Sequence, residues 1–511
     1  VSAFRQHCRD ALLGGADDAR HLGYSAEDVR AATFAIVAYL DEAARSVDDA
    51  RFTDWRQRTI EAELFHTQDA AEGFYRRLRE LLRRPDGHAA ADLIEVFQQC
   101  LLLGFQGMYG PATPDRRKLI EAADAKLRAA RGPLGDLSPA WRAPQRLRAR
   151  ATAGSAASPP AAGPHSAAIE ELARQAEAHL AFAGVGGGLR QAPALLVLGE
   201  PASVKTSTIL HCGVAKQELA GEIYREGNVA PTAAANFWLA RGAVVAEAGG
   251  ALLSDASGWS RLLQLLGPCS GAPRAALVCI DAERIARAEH ASRTARLLGA
   301  RLAEYAQACG CRIPVYVIFT RLDKLPGCGE FVRKMSHDEA SRAVGATLAE
   351  FTAPGDTPAA LATRVKAAFD GVVRSLAFAR APLMLRETEA DRVQLAYEFP
   401  RELHKLKGPV AATLSELCPP GAAAGAFLRG FYFSGARAIV VEENAPAPVS
   451  APEPERVPLA TGMFGADPPA PAPRQPAPAP RAAAPARRKI PQWLFLSSLF
   501  HEVLLRDFIE V

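Results

Sequence analysis

The stretch LLVLGEPASVKTST, residues 195–208, holds residue types that can bind a phosphate, in the order such a loop uses them. Gly199 ends an apolar run of strand type, and the spacing G-x5-K-T then delivers Lys205 and Thr206 to the start of a helix. In that arrangement backbone N–H groups face the phosphates, the lysine ammonium reaches the β and γ oxygens, and the hydroxyl holds magnesium. Val204 stands where the loop wants its last glycine. A β-branched side chain resists positive φ and fills room that a phosphate needs. The relaxed spacing alone is a weak signal, which its place between a strand and a helix strengthens.

Three further stretches bear on the same chemistry. GAVVAEAGG ends a strand on Glu247, which either holds magnesium through a water or is a solvated residue of a strand-terminal turn. VIFTRLDKL sets Thr320 and Asp323 where a guanine-reading N-K-x-D sequence would lie. Asp323 either accepts from the guanine N–H groups, with the Arg321 stem over the ring, or caps the next turn. PTAAANFWLARG carries Thr232 at a possible switch position and the pair Phe237-Trp238, which reads as core packing more readily than as ligand stacking. Any ligand of this set is GTP or ATP with magnesium, and no other cofactor is implied.

The elements that must position these residues follow from periodicity. Short apolar runs, ALLVLG, GAVVAE, AALVCI and VYVIFT, alternate with helical stretches such as RTARLLGARLAEYAQA. That grammar implies a parallel sheet with helices on both faces and ligands at the carboxyl ends of its strands. Residues 1–131 read as helices only. Ser25 caps SAEDVRAATFAIVAYLDEAARSV, Pro85 closes the next helix, and glycines at 104, 107 and 110 close the one after. The expected fold class is an all-α helical bundle followed by an α/β P-loop NTPase-like (GTPase-like) parallel-sheet domain with a helical extension. The expected boundaries are the bundle at 1–131, a disordered Pro/Ala linker at 132–166, the α/β domain at 167–345, the extension at 346–443, a Pro/Ala-rich spacer at 444–487 and an amphipathic helix at 488–511.

Composition narrows the function classes. The 511 residues are 49% apolar and 23% charged, and 60 basic side chains are interspersed with 56 acidic ones for a net charge of +4, so nucleic acid is not implied. Nine scattered cysteines and the absence of an apolar leader at VSAFRQHCRDALLGG fit a reducing compartment. The pair Cys309 and Cys311 lacks a second pair at zinc-like spacing and reads as two thiols at a helix end. No uninterrupted apolar run is long enough to span a bilayer, so no transmembrane helix is expected.

The blocks FAIVAYLDEA, Trp55, ELFHTQDAAEGFYRRL and LIEVFQQCLLLGFQGMYG resemble, in order and approximate spacing, the DotU/TssL family of type VI and type IVB secretion systems. The segments LLVLGEPASVKTST, PTAAANFWLARGAVVAEAGG, GWSRLLQLL, IPVYVIFTRLDKL, FPRELHKL, FLRGFYFSGA and IPQWLFLSSLFHEVLLRD resemble the IcmF/TssM family, its large inner-membrane partner. The resemblance implies a fusion of the two, and it implies a GTPase-like fold for the second. It offers Asp41 and Glu42 as a surface for contacts between secretion components. Those residues read equally well as a solvated helix face in which a carboxylate binds an arginine or a loop amide. Val204, Glu247 in place of aspartate and Ala248 in place of threonine depart from the pattern, as does the absence of the paired membrane helices and the periplasmic region.

The resulting expectation is a scaffold with a degenerate nucleotide site and no catalytic residue, at the cytoplasmic face of the inner membrane. Its partners would be membrane-complex and baseplate components, with intramolecular docking of its two domains and no small-molecule substrate. The alternatives are an active GTP- or ATP-binding switch that controls assembly, or a soluble regulatory subunit.

Overall fold

The computed structural model describes residues 1–110, 113–132, 135–142, 165–221, 224–225, 228–267, 272–349, 357–420, 425–443 and 486–509. They form two units, Val1–Ala436 with Trp493–Val511, and Arg437–Gln492. The second is a two-stranded sheet of Gly435–Glu443 and Ala486–Leu494, in which Arg437 Nε donates to Gln492 Oε1 at 2.8 Å. The residues 143–164 and 444–485, which make up most of the linker and spacer expected from sequence, lie outside the described residues.

The first unit begins with helices. In Ala26–Ser46, Ser25 Oγ accepts from Asp28 N at 3.0 Å, satisfying one of the orphan amides of the first turn. That helix packs with Ala70–Arg83, His88–Leu102 and Pro114–Arg131 around Phe34, Phe74, Ile94, Phe97 and Phe105. The Phe74 ring lies 4.3 Å from Phe105 and 4.7 Å from Phe97, centroid to centroid.

Asp41 and Glu42, offered by sequence either as a partner surface or as carboxylates that bind an arginine or a loop amide, both accept from backbone amides. Asp41 is fully buried and accepts from Trp55 Nε1 at 2.7 Å, Ile60 N at 3.0 Å and Glu61 N at 2.8 Å. Glu42 accepts from Gln106 N at 2.6 Å and Gly107 N at 2.7 Å. Charged acceptors are the strongest partners for amides that no helix or strand satisfies, so this pair ties the first turn of the helix Ile60–Phe65 and the loop at Gln106 onto one helix.

The rest of the unit is built on an eight-stranded sheet. Numbered along the chain, its strands are β1 Ala194–Leu198, β2 Gln217–Ala220, β3 Ala235–Ala240, β4 Ala243–Ala248, β5 Arg274–Asp281, β6 Ile313–Thr320, β7 Val344–Thr347 and β8 Ala426–Phe433. Their spatial order is β2-β3-β4-β1-β5-β6-β8-β7. The run β4, β1, β5, β6, β8 is parallel, while β3 joins β4, β2 joins β3 and β7 joins β8 antiparallel. The segment expected as a helical extension therefore supplies β8, an interior strand, because FLRGFYF is aromatic on both faces as a doubly covered strand must be.

Alternate residues of each strand feed two cores. Leu196, Leu198, Val278, Val317 and Phe319 face helices that contribute Ile169, Trp259, Leu298, Phe369 and Leu414. Leu195, Val197, Leu277, Tyr316 and Ile318 face a core completed by Ile209, Trp141 and the C-terminal Leu496, Leu499, Phe500, Val503 and Leu504. Two expectations are corrected here. Trp141, placed in a disordered linker, is buried in the second core, and Thr347 Oγ1 donates to its carbonyl. The expected C-terminal helix is a strand through Leu494, and helical winding starts after it with Leu499–Leu504 and Leu505–Ile509. Pro491 lacks an N–H and so disfavours a helix across the Arg-Arg-Lys-Ile-Pro run.

The helical and α/β regions dock within this unit. Leu102 and Leu103 pack against the larger core, and the Arg131 guanidinium lies 5.0 Å from the centroid of the Phe378 ring. Among the described residues no helix is long and apolar enough to cross a membrane.

One buried ion pair fastens the C-terminal segment. Arg429 on β8 donates through Nε at 2.7 Å and Nη2 at 3.0 Å to Asp507, which also accepts from Tyr316 Oη at 2.6 Å. Both charged side chains are 1% exposed. Breaking such a pair strands a charge, so Arg429→Met alone should cost about 3–5 kcal/mol in urea unfolding, and Arg429→Met with Asp507→Leu should recover most of it.

Candidate functional site

The carboxyl ends of β1, β4, β5 and β6 bring the sequence-nominated residues to one edge of the sheet. After β1 the chain runs through Gly199 to the short helix Lys205–Leu210. A Cβ on Gly199 would lie 2.4 Å from Ser203 Oγ and 2.5 Å from the Cys279 carbonyl, so only glycine fits. Ala202 and Val204 both adopt left-handed backbone, with φ 61° and 65°. Both hold, with side chains, a backbone conformation that glycine adopts far more readily. Each such residue carries strain of order ~1–2 kcal/mol. On the other side Gly250 closes on Pro201, where a Cβ would approach the backbone N to 2.6 Å.

The polar side chains at this edge engage one another. Lys205 is buried, and its ammonium donates to the Gly199 carbonyl at 2.8 Å and the Glu200 carbonyl at 3.1 Å. Burial lowers its pKa, against the attraction of Glu247 and Glu200. Thr206 Oγ1 donates to Glu247 Oε1 at 2.7 Å and lies 3.2 Å from Thr232 Oγ1. Asn236 Nδ2, directly across from Glu247 in the strand register, donates to Glu247 Oε2 at 3.2 Å and to Thr232 Oγ1 at 3.1 Å. Burial raises the Glu247 carboxyl above its ordinary range, and the hydrogen bonds from Thr206 and Thr232 oppose that rise. The residues nominated for metal, Thr206 and Glu247, thus share a network with Thr232 and Asn236, while Lys205 is held separately by the carbonyls of its own loop.

Thr320 joins this edge from β6, where Oγ1 donates to the Ser203 carbonyl at 3.2 Å and the Ile280 carbonyl at 3.3 Å. Asp323 is committed elsewhere: its Oδ1 accepts from Ala436 N at 3.0 Å, at the turn that follows β8. Arg321 Nη1 reaches the buried Asp281 Oδ2 at 3.1 Å. Sequence reasoning missed Asn236, Asp281 and Glu200. Glu200 lies within the loop itself, accepts from Thr294 Oγ1 at 2.8 Å and sits 3.0 Å from His290 Nε2. Its signal was a carboxylate in a loop meant for anions. Among the described residues no group of three or more His, Cys, Asp or Glu side chains could hold a metal, and Cys309 and Cys311 are both buried at a helix end.

Placing a magnesium nucleotide here would require Thr206 to leave Glu247 and Lys205 to leave two carbonyls. Each exchanged bond is worth about 0.5–1.5 kcal/mol net, more where a charge is involved.

Two outcomes follow from this geometry. Val204→Gly should raise stability by about 1 kcal/mol in urea unfolding, because it removes a β-branched residue from left-handed backbone. The second concerns Glu247, whose folded pKa lies above the ordinary 4.5. Its contribution is fullest below about 4.5 and is lost as pH rises through the higher folded value. The stability of the wild type relative to Glu247→Gln should therefore fall as pH rises above about 4.5, measured by thermal melting.

Comparison with known proteins places both regions. Residues 1–168 match the family described as Type VI secretion system protein DotU, and residues 254–508 match the IcmF-related N-terminal domain. The Type VI secretion system component TssM1 of Pseudomonas aeruginosa strain PAO1 is 27% identical over an alignment 296 positions long that covers 52% of this chain and 26% of that protein. The chain thus spans about a quarter of that relative's length. The cytoplasmic domain of TssL from Acinetobacter baumannii aligns at 28% identity and a TM-score of 0.24, covering 25% of this chain and 83% of that one. SciP/TssL from enteroaggregative Escherichia coli 042 aligns at 24% identity and a TM-score of 0.23, covering 25% and 74%. The chain thus carries, in one polypeptide, a region that matches the Type VI secretion system protein DotU family and a region that matches the IcmF-related N-terminal domain.

Proposed function

We propose that this chain is a structural scaffold of a type VI secretion membrane complex, working at the cytoplasmic face of the inner membrane. In this reading the fold of its second region is that of a P-loop GTPase-like domain used as a platform. The parallel run β4-β1-β5-β6 with a lysine-bearing loop after β1 supports that assignment. The observation that carries the scaffold reading is the direct bond from Thr206 Oγ1 to Glu247, beside a Lys205 ammonium spent on its own loop carbonyls. A side-chain set that satisfies itself gives a nucleotide little to gain.

Joining the two regions adds to this. A contact too weak to persist between separate proteins persists when both are on one chain, because the link raises their effective concentration. The packing of Leu102 and Leu103 on the α/β core supports such a joint platform. In this reading its partners are membrane-complex and baseplate components, and the matches to type VI secretion components support the general kind of partner. The retained Lys205 and Thr206 support the second reading, a GTP- or ATP-dependent assembly switch.

Secretion assays separate the two. In the organism that encodes the chain, Thr206→Val, of nearly the same shape, should leave secretion of the system's substrates within about twofold of wild type if the variant melts normally. A loss of about a hundredfold in a folded variant would favour the switch, since magnesium and phosphate positioning carry such catalysis.

A further inference from the structure

The helices Pro358–Met384 and Ala390–His404 leave between them an open groove of about 380 Å3. That volume falls within the ~300–1,000 Å3 typical of ligand sites. The groove is lined by three guanidinium groups, of Arg374, Arg380 and Arg401, and by a single carboxylate, that of Asp370. Asp370 is already matched: its Oδ2 accepts from Lys407 Nζ at 2.6 Å, and His404 Nε2 lies 3.4 Å from its Oδ1. Arg401 pairs with Glu398 at 2.8 Å. The positive charge of Arg374 and Arg380 is left over.

The two residues are prepared differently. Arg380 is held in place: its guanidinium lies 4.3 Å from the centroid of the Tyr397 ring, and its Nε donates to the Ala377 carbonyl at 3.0 Å. Its Nη1 donates to the Tyr397 carbonyl at 3.4 Å, beside Pro400, which interrupts the amide ladder of that helix. A guanidinium stacked on an aromatic ring loses little further freedom on binding and keeps its outer edge for a planar acceptor. Arg374 is exposed, and among the described residues it makes no hydrogen bond or ion pair. Both can be reached from solvent, and neither has a carboxylate partner among the described residues.

The surroundings select the form of the anion. Glu398 and Glu402 flank the groove on the second helix, paired with Arg401 and Lys405, so the rim is of mixed sign. A flat anionic surface would meet those carboxylates, whereas one acidic side chain entering the groove meets the guanidinium groups, which take a carboxylate bidentately. Arg374 and Arg380 are six positions apart, ~9 Å along the helix axis. An extended chain sets alternate side chains ~7 Å apart on one side, and flexible glutamates span the difference.

We propose that this groove binds an acidic, extended segment of a partner protein, with carboxylates at alternate positions paired to Arg374 and Arg380. It shares no residue with the strand-end network and does not depend on whether a nucleotide binds there. The helical part of the chain between the strands β7 and β8 thereby becomes a docking surface.

The test uses the full chain and fluorescently labelled, amidated peptides that repeat Glu-Ala, beside peptides of equal length that repeat Gln-Ala. Fluorescence anisotropy should find binding of the Glu-Ala peptide alone. Arg374→Gln and Arg380→Gln should each weaken it about tenfold, the effect of losing one charge-assisted pair. Arg374 makes no contact to lose, so Arg374→Gln should melt as the wild type does and reads binding without a change in folding. Arg293→Gln, at an exposed position on the helix Ala288–Cys309, should leave binding unchanged. The proposal is overturned if the Glu-Ala peptide does not bind up to about millimolar concentration, or if the Gln-Ala peptide binds equally well. It is also overturned if Arg374→Gln binds as the wild type does, or if Arg293→Gln weakens binding as much, which would mark a diffuse attraction. Vesicles of phosphatidylglycerol that bind through Arg374 where the peptide does not would overturn it in favour of a lipid surface.

Discussion

A sheet of parallel strands has no face it can show to water, since its residues are apolar on both sides. The architecture of this chain follows from covering the second face. The first is covered by helices that lie between the strands in sequence, as βαβ connections require. The second is closed largely by two distant pieces, Trp141 from before the sheet and Leu496 to Leu505 from after the proline-rich stretch. The Arg429–Asp507 pair with Tyr316 fixes the register of that closure, because a buried charge tolerates no slippage away from its partner. The chain's last segment is therefore part of the α/β core, even though some forty residues outside the described set separate it from the preceding strands.

The same economy of polar groups runs through the molecule. Asp41 and Glu42 each satisfy backbone amides that no regular element reaches, and Glu247 satisfies the hydroxyl of Thr206 and the amide of Asn236. Residue types with catalytic or recognition potential are here spent on the fold. Val204 shows the reverse: a residue held in left-handed backbone with no side-chain cap to reward it.

The sequence made legible whatever rests on local pattern. Ser25 as a cap, the four apolar runs that became β1, β4, β5 and β6, and the gathering of Gly199, Lys205, Thr206, Glu247 and Thr320 at one edge all follow from periodicity and spacing. Elements whose identity is set by distant contacts were not legible. β2 reads QELA, too polar to announce a strand, and it is a strand because it pairs with β3 at the edge. β8 follows a long helical stretch and was read as its continuation, whereas only its two neighbours in the sheet define it. Trp141 sits among prolines and alanines whose composition speaks for disorder, and one indole buried in a core outweighs that local tendency. Asp323 matched a motif position, but a turn 113 residues away claims its carboxylate.

The central claim is that the strand-end site is complete without a nucleotide, and calorimetric titration of the full chain with GTP, GDP and ATP in the presence of magnesium tests it most directly, beside a Lys205→Ala control. The expected result is no heat of binding for any of the three up to about millimolar ligand, from a sample with an intact melting transition. Micromolar binding that requires magnesium and disappears in the control would contradict the claim and show that Thr206 and Lys205 leave their internal partners for phosphate.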